Sequence, residues 1–413
     1  MIAKPLATVI HAKMTLDLLT AGLRHGPAGN AGRGITWRRS DGGRARGKGW
    51  KTVTIREVAD AAGVSTATVS RALSGVQTVD PDLAARVRAT AERLGYRANR
   101  VARALRRQST QTVGLVVPDL TNPFFPAVVQ AVERKLRTLG LSLLLCDAGN
   151  DVEIEAERVL GLFDHQIDGL LISACDRIAS RHAIRFAASR APLVQIDRRA
   201  LVDVAFVGVD QADAMRRIVD HLRDQGCRTF AYITPHPEIS TAKERLDEFL
   251  RCSRPLDPDV GSRVFLGDFS LDWGHQAAGR ISDAGPLPDA IVCANDVIAI
   301  GALQALRERG ISVPRDVAVT GFDDTVLAIA SEPQLTTVHQ PLEELGAQAA
   351  AALHEAIADP RLPPRSSVLP ASLAVRASSR RTAPDNAADT EPADVVTASS
   401  LRLAGEQVRS EAG

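Results

Sequence analysis

The spacing of apolar residues changes its period once along the chain, close to residue 110. Before that point, apolar residues recur every three or four positions over 55–94, as on one face of an amphipathic helix. After it, apolar runs of strand length alternate with helical stretches, which predicts parallel sheets covered by helices on both sides. We therefore expect an all-α N-terminal head followed by a larger α/β region.

The head begins with the segment 52–73, which predicts two short helices joined by a tight turn. Thr54 is a good N-cap for the first helix, Gly63 suits the left-handed residue that ends it, and Ser65 suits the N-cap of the second. A third helix is expected after Asp80. Helix, glycine-containing turn and helix form the helix-turn-helix pattern, in which the second helix lies in the major groove of DNA. Many such hairpins are only packing units, so the pattern alone leaves a purely structural interpretation open.

Charge separates the front of the chain from the rest. Residues 1–110 contain 20 Lys and Arg against 7 Asp and Glu, a net charge of +13, whereas residues 111–413 contain 30 against 42, a net charge of −12. Only the front is therefore expected to meet a polyanion. On the second helix, hydroxyl groups suit phosphates, while two small side chains and one arginine suit base edges. The DNA contacts predicted in the head are Thr54, Ser65, Thr66, Ala67, Thr68, Ser70 and Arg71.

The α/β region predicts nine strands with amphipathic helices between them. The strands are expected at 113–117, 141–146, 169–172, 193–196, 205–209, 229–233, 264–266, 290–293 and 317–320. The clearest helices are expected at 127–139, 153–163, 212–224, 274–281 and 297–308. Nine strands divide naturally into two α/β units, five strands in the first and four in the second. We expect the chain to cross back to the first unit near 335–338.

The motifs TIREVADAAGVSTATVSRAL and ERLGYRANRVARALR resemble the LacI/GalR family of bacterial transcription regulators. Further family motifs follow in order as GLVVPDLTNPFF, VDQADAMRRIVDHL, VFLGDFSLDWGHQAA, VCANDVIAIGALQALRERGISVPRDVAVTGFDD and LTTVHQPLEELG. The resemblance covers about residues 52–376 and implies a periplasmic-binding-protein-like core with a cleft between two subdomains. It also implies a homodimer that binds a near-palindromic double-stranded DNA operator under the control of a small-molecule effector.

By the same resemblance, residues 98–110 form a hinge helix that is ordered when the dimer sits on DNA. Leu105 matches the apolar side chain that enters the minor groove, and Arg103 would hold a nearby phosphate. Asn99 is the third DNA contact expected in this segment. The alternative is an amphipathic linker helix docked on its own protein.

The effector is expected outside the carboxyl ends of the strands, where ligands bind in open α/β sheets. The loops there carry aromatic rings to cover a sugar ring, with Arg, Asn and Asp to bond its hydroxyls, so we expect a sugar or polyol. Ile239 stands where purine-binding relatives carry an arginine, which weighs against a purine. Arg245 could instead pair on the surface with Asp247 or Glu248. The effector-binding residues implied are Asn122, Phe124, Asp197, Arg198, Thr241, Arg245, Phe269, Asn295 and Asp323.

Other classes of function fit the sequence less well. No run of about 18 apolar residues occurs, so no membrane span is expected. The five cysteines show no metal-ligand spacing, and their odd number suits a reducing cytosol, so we expect a cytoplasmic protein without cofactor or metal. An enzyme is the first alternative, but the chain has no GxGxxG turn, P-loop, GxSxG or HExxH motif. A transport-type sugar-binding protein would need an export signal and no DNA-binding head.

These patterns divide the chain into five segments. The N-terminal 51 residues are interpreted as a disordered basic extension, or as translated upstream sequence, and the last segment as a disordered tail. The boundaries are 1–51 for the extension, 52–97 for the DNA-binding domain, 98–110 for the hinge, 111–380 for the core and 381–413 for the tail.

Overall fold

The computed structural model describes residues 53–73, 79–96 and 109–381. The chain divides into two compact units, Met1–Arg97 and Ala98–Gly413. The predicted extension, most of the hinge segment and nearly all of the tail lie outside the described residues. The class predicted from the sequence, an all-α head and an α/β core with parallel sheets, is confirmed.

In the described part of the first unit, three short helices form a bundle. Both predicted caps of the first helix are present, because Thr54 and Glu57 form a reciprocal capping box and Gly63 adopts a left-handed φ of 68°. Val58, Val69 and Val87 are fully buried and give the bundle a hydrophobic core of its own. The helices are α1 Ile55–Ala62, α2 Thr66–Leu73 and α3 Pro81–Arg93.

The second unit contains all twelve strands of the described residues. Those strands are β1 Thr112–Val117, β2 Ser142–Asp147, β3 Gly169–Ile172, β4 Leu193–Ile196, β5 Ala205–Val209, β6 Phe230–Pro235, β7 Val264–Gly267, β8 Ala290–Cys293, β9 Ala318–Thr320, β10 Thr337–His339, β11 Ser366–Leu369 and β12 Ser372–Ala374. Its α-helices are α4 Phe124–Thr138, α5 Val152–Asp164, α6 Arg181–Ala188, α7 Gln211–Asp224, α8 Ser240–Ser253, α9 Leu271–Asp283, α10 Asp296–Glu308, α11 Val326–Ala330 and α12 Leu342–Ala358.

The first subdomain is a parallel sheet in the order β11-β5-β4-β3-β1-β2. Successive side chains of a strand point to opposite faces, and the core divides accordingly. Leu115 and Leu171 join the hydrophobic cluster that contains residues of α4 and α12, whereas Val116 and Leu170 join a separate cluster with residues of α5 and α6. Helices therefore cover both faces, as the apolar strands required.

The second subdomain is a parallel sheet in the order β7-β6-β8-β9. Its central strand β6 carries Phe230 and Tyr232, both fully buried. Helices α9 and α10 cross at close range because glycines lie at the contact, Gly274 against the backbone of α10 and Gly301 against that of α9. No helix among the described residues is long and apolar enough to cross a membrane.

The division into five and four strands was wrong for the first subdomain, which has six. After β9 the chain returns through β10, near the predicted crossing, and then adds β11 to the outer side of β5. β10 also pairs in antiparallel fashion with β12, in a small separate sheet. The chain thus passes between the subdomains more than once.

Candidate functional site

Helix α2 presents an exposed polar face in the head. Thr66, Ala67 and Arg71 are exposed, while Val69 and Ala72 on the other side are buried in the bundle. The Nε of Arg71 donates to the carbonyl of Ala67 at 3.3 Å, so its guanidinium lies along the helix. This face has the size and chemistry that the major groove of DNA accepts.

The remaining predicted DNA contacts differ in their surroundings. Ser65 caps α2, because its hydroxyl accepts from the amide of Thr68 at 3.1 Å and lies 2.9 Å from the Thr68 hydroxyl. The hydroxyl of Thr54 is engaged in the capping box of α1, which gives this residue a structural role. Ser70 is partly buried on α2. Asn99, Arg103 and Leu105 lie outside the described residues, so the minor-groove contacts stay a prediction.

Aromatic rings from both subdomains meet around one arginine of the core. Phe124 and Phe125 begin α4 and contact each other edge to face, with ring centroids 5.1 Å apart. The guanidinium carbon of Arg198, which follows β4, lies 5.3 Å from the ring of Phe125 and 5.3 Å from the ring of Phe269. Phe269 follows β7 in the second subdomain, so Arg198 lies at the junction of the two sheets.

Arg198 and its neighbour Asp197 are buried with polar atoms left over. Arg198 is 3% exposed, and its Nε and Nη1 have no hydrogen-bond partner in the protein. Oδ1 of Asp197 is likewise buried without a partner, while Oδ2 lies 3.9 Å from Nε of Arg198. Burial raises the pKa of Asp197 and lowers that of Arg198, because each charged form loses hydration, and their mutual attraction opposes both shifts.

Arg245 is a second buried arginine, fixed by three groups. Its Nε donates to Oε1 of Gln211 at 2.7 Å, its Nη1 donates to the carbonyl of Ala294 at 2.6 Å, and its guanidinium carbon lies 3.5 Å from the centre of the Phe322 ring. The alternative of a surface pair with an acidic neighbour on its own helix is therefore wrong. Nη2 of Arg245 instead approaches Oδ1 of Asp323 at 3.8 Å.

Asp323 follows β9 and is held in a left-handed conformation with a φ of 109°. Its amide donates to the carbonyl of Val338 at 3.0 Å, which draws it against the returning strand β10. There, Nε2 of Gln340 donates to Oδ1 of Asp323 at 2.7 Å. Burial raises the pKa of Asp323 well above its ordinary value, and the positive charge of Arg245 opposes that rise. A carboxyl group in this setting is able to accept or donate hydrogen bonds to a ligand.

The other predicted effector residues complete the cluster on both sides. Asn295 caps α10 through its Oδ1, which accepts from the amide of Ile298 at 2.9 Å, and its Nδ2 is buried without a partner. Oδ1 of Asn122 accepts from the amide of Phe124 at 3.1 Å, at the start of α4. Thr241 is 3% exposed, in the first turn of α8.

Sequence reasoning missed two amides of this cluster. Gln340 leaves Oε1 buried without a partner, and Gln211 leaves Nε2 in the same state. Gln340 follows a three-residue strand that carries little hydrophobic signal, and Gln211 is the first residue of α7, where a polar residue passes as ordinary. Their position just after a strand was the available signal, since loops at strand ends line such clefts.

The cleft opens outward through a space of about 710 Å³ that Asn122 and Phe269 line together with residues of both subdomains. Its lining contains four carboxylates and neither Lys nor Arg. The four are Asp119, Asp176, Glu238 and Asp268. A second cavity of about 480 Å³ lies beside Pro192 and Leu193, at the opposite end of the first sheet, and contains none of the predicted residues.

Three hydrogen bonds join the subdomains beside this opening. The amide of Arg177 donates to the carbonyl of Glu238 at 2.7 Å, and its Nε donates to the carbonyl of Pro237 at 3.0 Å. The amide of Arg199 donates to the hydroxyl of Ser240 at 3.0 Å. These hydrogen bonds hold the two subdomains together beside the opening. Among the described residues, no group of three or more His, Cys, Asp or Glu is arranged to hold a metal ion.

Known proteins share both parts of this arrangement. Residues 54–99 match the model of bacterial regulatory proteins of the lacI family, and residues 219–379 match a periplasmic binding protein-like domain. The ribose operon repressor of Halalkalibacterium halodurans is 31% identical over 71% of this chain and 87% of its own length. The transcriptional repressor PurR of Vibrio vulnificus is 30% identical over 74% of this chain and 92% of its own length.

Solved structures of transcription regulators are also similar to this chain over most of its length. The Lac repressor dimer bound to operator and the anti-inducer ONPF covers 80% of this chain and 99% of its own, with a TM-score of 0.73 and 26% identity. The complex of the transcriptional regulator CelR with cellobiose covers 79% of this chain and 99% of its own, with a TM-score of 0.60 and 32% identity. With relatives of at least 30% identity along most of its length, the chain belongs to the LacI family of bacterial transcription regulators, which are DNA-binding proteins rather than enzymes.

Proposed function

We propose that the protein is a homodimeric repressor whose affinity for a near-palindromic operator is set by a small neutral sugar in the core cleft. The observation that carries the proposal is the set of buried polar atoms without partners around Arg198 and Asp197. Leaving such atoms unpaired is costly, so they favour a ligand that supplies the missing hydrogen bonds. The set is Asp197 Oδ1, Arg198 Nε and Nη1, Gln211 Nε2, Asn295 Nδ2 and Gln340 Oε1.

A sugar suits this set because each hydroxyl both donates and accepts hydrogen bonds. The unpartnered atoms include donors from Arg198 and Asn295 and acceptors from Asp197 and Gln340. The rings of Phe124 and Phe269 offer apolar faces beside them. The relative named for ribose and the solved complex with cellobiose make D-ribose and cellobiose the first ligands to test.

Charge favours a neutral sugar over a sugar phosphate. The two buried arginines, Arg198 and Arg245, already lie 3.9 and 3.8 Å from the carboxyl groups of Asp197 and Asp323. The four carboxylates at the opening face no Lys or Arg in its lining, so an incoming anion would be repelled. D-Ribose should therefore bind much more tightly than ribose 5-phosphate.

On the DNA side, the exposed face of α2 is proposed to read bases through Arg71, with Thr66 and Ala67 contributing methyl contacts. Ser65, Thr68 and Ser70 would approach phosphates, and Asn99, Arg103 and Leu105 of the linker would reach the minor groove. A dimer presents two such heads, so operator symmetry mirrors protein symmetry. The Lac repressor dimer on its operator supports this arrangement. We place the protein in the cytoplasm, at the nucleoid, where its DNA lies.

Two variants of the full chain test whether DNA binding and sugar binding reside in separate sites. Arg71→Ala should weaken binding to a duplex that the wild type selects from random DNA by about tenfold or more, because one base contact is worth about 1–3 kcal/mol. It should leave the sugar affinity unchanged. Asp323→Ala should do the reverse, abolishing the calorimetric signal with D-ribose or cellobiose and sparing DNA binding.

Exposed residues of the same types provide controls, Arg185→Ala for the arginine and Asp259→Ala for the aspartate. Neither control should change DNA or sugar affinity. Equal loss of both activities in Arg71→Ala would refute the separate roles. Tighter binding of ribose 5-phosphate than of ribose would refute the neutral-sugar assignment, and sugar binding that survives Asp323→Ala would refute this cleft as the effector site.

A further inference from the structure

One carboxylate holds the point at which the core begins. Asp168 accepts four hydrogen bonds from three consecutive residues. Its Oδ2 accepts from the hydroxyl of Ser109 at 2.7 Å and from the amide of Gln111 at 2.7 Å. Its Oδ1 accepts from the amide of Thr110 at 2.9 Å and from the Thr110 hydroxyl at 3.1 Å. Ser109 and Thr110 end the linker that joins the head to the core, and Gln111 is the first residue of the core.

The same short segment is tied to three neighbouring strands. Asp168 immediately precedes β3, and its amide donates to the carbonyl of Thr112 at 2.8 Å. Gln111 has a left-handed φ of 52°, and its carbonyl accepts from the amide of Ser142 at the start of β2. The chain therefore enters the core through a turn that is fixed at the amino ends of β1, β2 and β3. A left-handed glutamine is uncommon, and these contacts hold it in place.

The other end of β3 reaches the effector cleft. Strand β3 is buried along its whole length, and the amide of Ser173 that follows it donates to the carbonyl of Val116. Four residues later, Arg177 makes its two hydrogen bonds to the carbonyls of Pro237 and Glu238 in the second subdomain. One fully buried strand thus lies between the Arg177 contact that joins the subdomains and the carboxylate that holds the linker.

We propose that Asp168 is a positioning residue for DNA recognition: it fixes the C-terminal end of the linker on the first subdomain and, through β3, couples it to the contact between the subdomains at the cleft. The inference rests on the proposed effector-controlled function. It assigns the coupling to one residue that contacts neither DNA nor effector. Loss of the carboxylate removes the hydrogen bonds that hold residues 109–111. The two heads are then no longer attached to the core at a fixed point, and effector binding no longer changes their affinity for DNA.

The variant Asp168→Asn tests this role in the full chain. One carboxylate oxygen becomes an NH₂ group, which cannot accept the hydrogen bonds that the oxygen received. We expect affinity for the wild-type-selected duplex to fall by about tenfold or more, a size typical of coupling between sites. Binding of D-ribose should change less than twofold, and any D-ribose effect on DNA affinity should shrink towards none.

Hydrogen exchange shows whether the variant acts where intended. The amides of Thr110 and Gln111 should exchange faster in Asp168→Asn, while those of α1 to α3 keep their wild-type protection. Asp164→Asn is the matched control, since Asp164 is exposed near the end of α5, four residues before Asp168. It should behave as wild type in every measurement.

The outcomes separate the two proposals. Wild-type DNA affinity in Asp168→Asn, with faster exchange at 110 and 111, would overturn the positioning role and leave a turn-stabilising residue only. Wild-type protein that selects DNA but ignores D-ribose and cellobiose would count against the proposed effector, and the DNA-affinity comparison would still decide the role of Asp168. Equal loss of sugar binding and DNA binding would indicate general unfolding and overturn it as well.

Discussion

Asp296 shows how burial and hydrogen bonding compete at a single carboxylate. It is fully buried and accepts hydrogen bonds from the Thr337 hydroxyl at 2.6 Å and from the amide and hydroxyl of Thr325 at 2.7 and 2.9 Å. These bonds stabilise the charged form, yet burial dominates and raises the pKa to about 6. The group joins α10 to β10 and to the loop after β9, directly behind the cleft.

The raised pKa of Asp296 makes the free energy of unfolding depend on pH in a definite direction. The folded state binds the proton more tightly than the unfolded chain, so the contribution of Asp296 is full below about pH 4 and is lost as the pH rises through about 6. The stability difference between wild type and Asp296→Asn should therefore fall by about 2–3 kcal/mol between pH 4 and 7.5. Urea unfolding of both proteins across this range measures it. Asp259→Asn, at an exposed site, should follow the wild-type profile, and a parallel profile for Asp296→Asn would contradict the argument.

Among the elements, α9 and α10 depend on glycine for their approach. A Cβ added at Gly301 would lie 2.0 Å from the carbonyl oxygen of Leu271, and one added at Gly274 would lie 2.0 Å from that of Ile298. Backbone atoms cannot move aside as a flexible side chain does. The two helices would have to separate, which would disturb the second subdomain from which Asn295 and Asp323 extend.

Two glycine-to-alanine changes within helices should have opposite effects. Gly301→Ala should destabilise the protein by about 1–3 kcal/mol through overpacking. Gly161→Ala, in α5, should stabilise it by about 0.5–1 kcal/mol, because nothing lies within 4 Å of the added Cβ and alanine favours a helix. Urea unfolding of the full chain compares them. If both changes stabilised the protein, helix propensity rather than the close contact between α9 and α10 would determine the free energy of unfolding.

The same elements show what the sequence could predict. Strands buried on both faces appear as continuous apolar runs, and the edge strands β2 and β7 are also largely apolar, so β1 to β9 were found close to their true bounds. Strand β11, with the sequence SSVL, is exposed at two of its four residues, and β10 and β12 have three residues each. Strands this short or this exposed show no periodic pattern of apolar residues in the sequence. Helix α8 is absent from the predicted helices, and its first residues, Ser240 and Thr241, suit a turn equally well.

The site residues were likewise predictable where they follow an apolar strand, and Gln340 was missed where the strand is short. Asp197, Arg198, Asn295 and Asp323 come directly after strands that the sequence revealed, and the structure brings them into one buried cluster. Gln340 follows a strand too short to recognise, so its hydrogen bond to Asp323 could not be anticipated. Their roles toward an effector stay predictions until a ligand is measured.

On the scale of the whole molecule, charge separates the two binding activities. The front 110 residues carry +13 and the remainder −12. Raising KCl from 50 to 200 mM should therefore weaken DNA binding by roughly a hundredfold or more, because released counterions drive that binding. Affinity for D-ribose or cellobiose should change less than about twofold, since a neutral sugar displaces no ions. Fluorescence anisotropy and calorimetry measure the two constants, and equal salt dependence would contradict the separation.

The order of the strands along the chain also bears on how the protein is made. Strand β5 has no neighbour on its outer side until Ser366–Leu369 is synthesised, more than 150 residues later. At typical elongation rates that interval lasts roughly 8–30 s. During it, the nascent chain exposes an open sheet edge that another chain could join. The first subdomain is thus begun first and finished last, and a ribosome that stops before β11 releases a chain in which β5 lacks its outer neighbour.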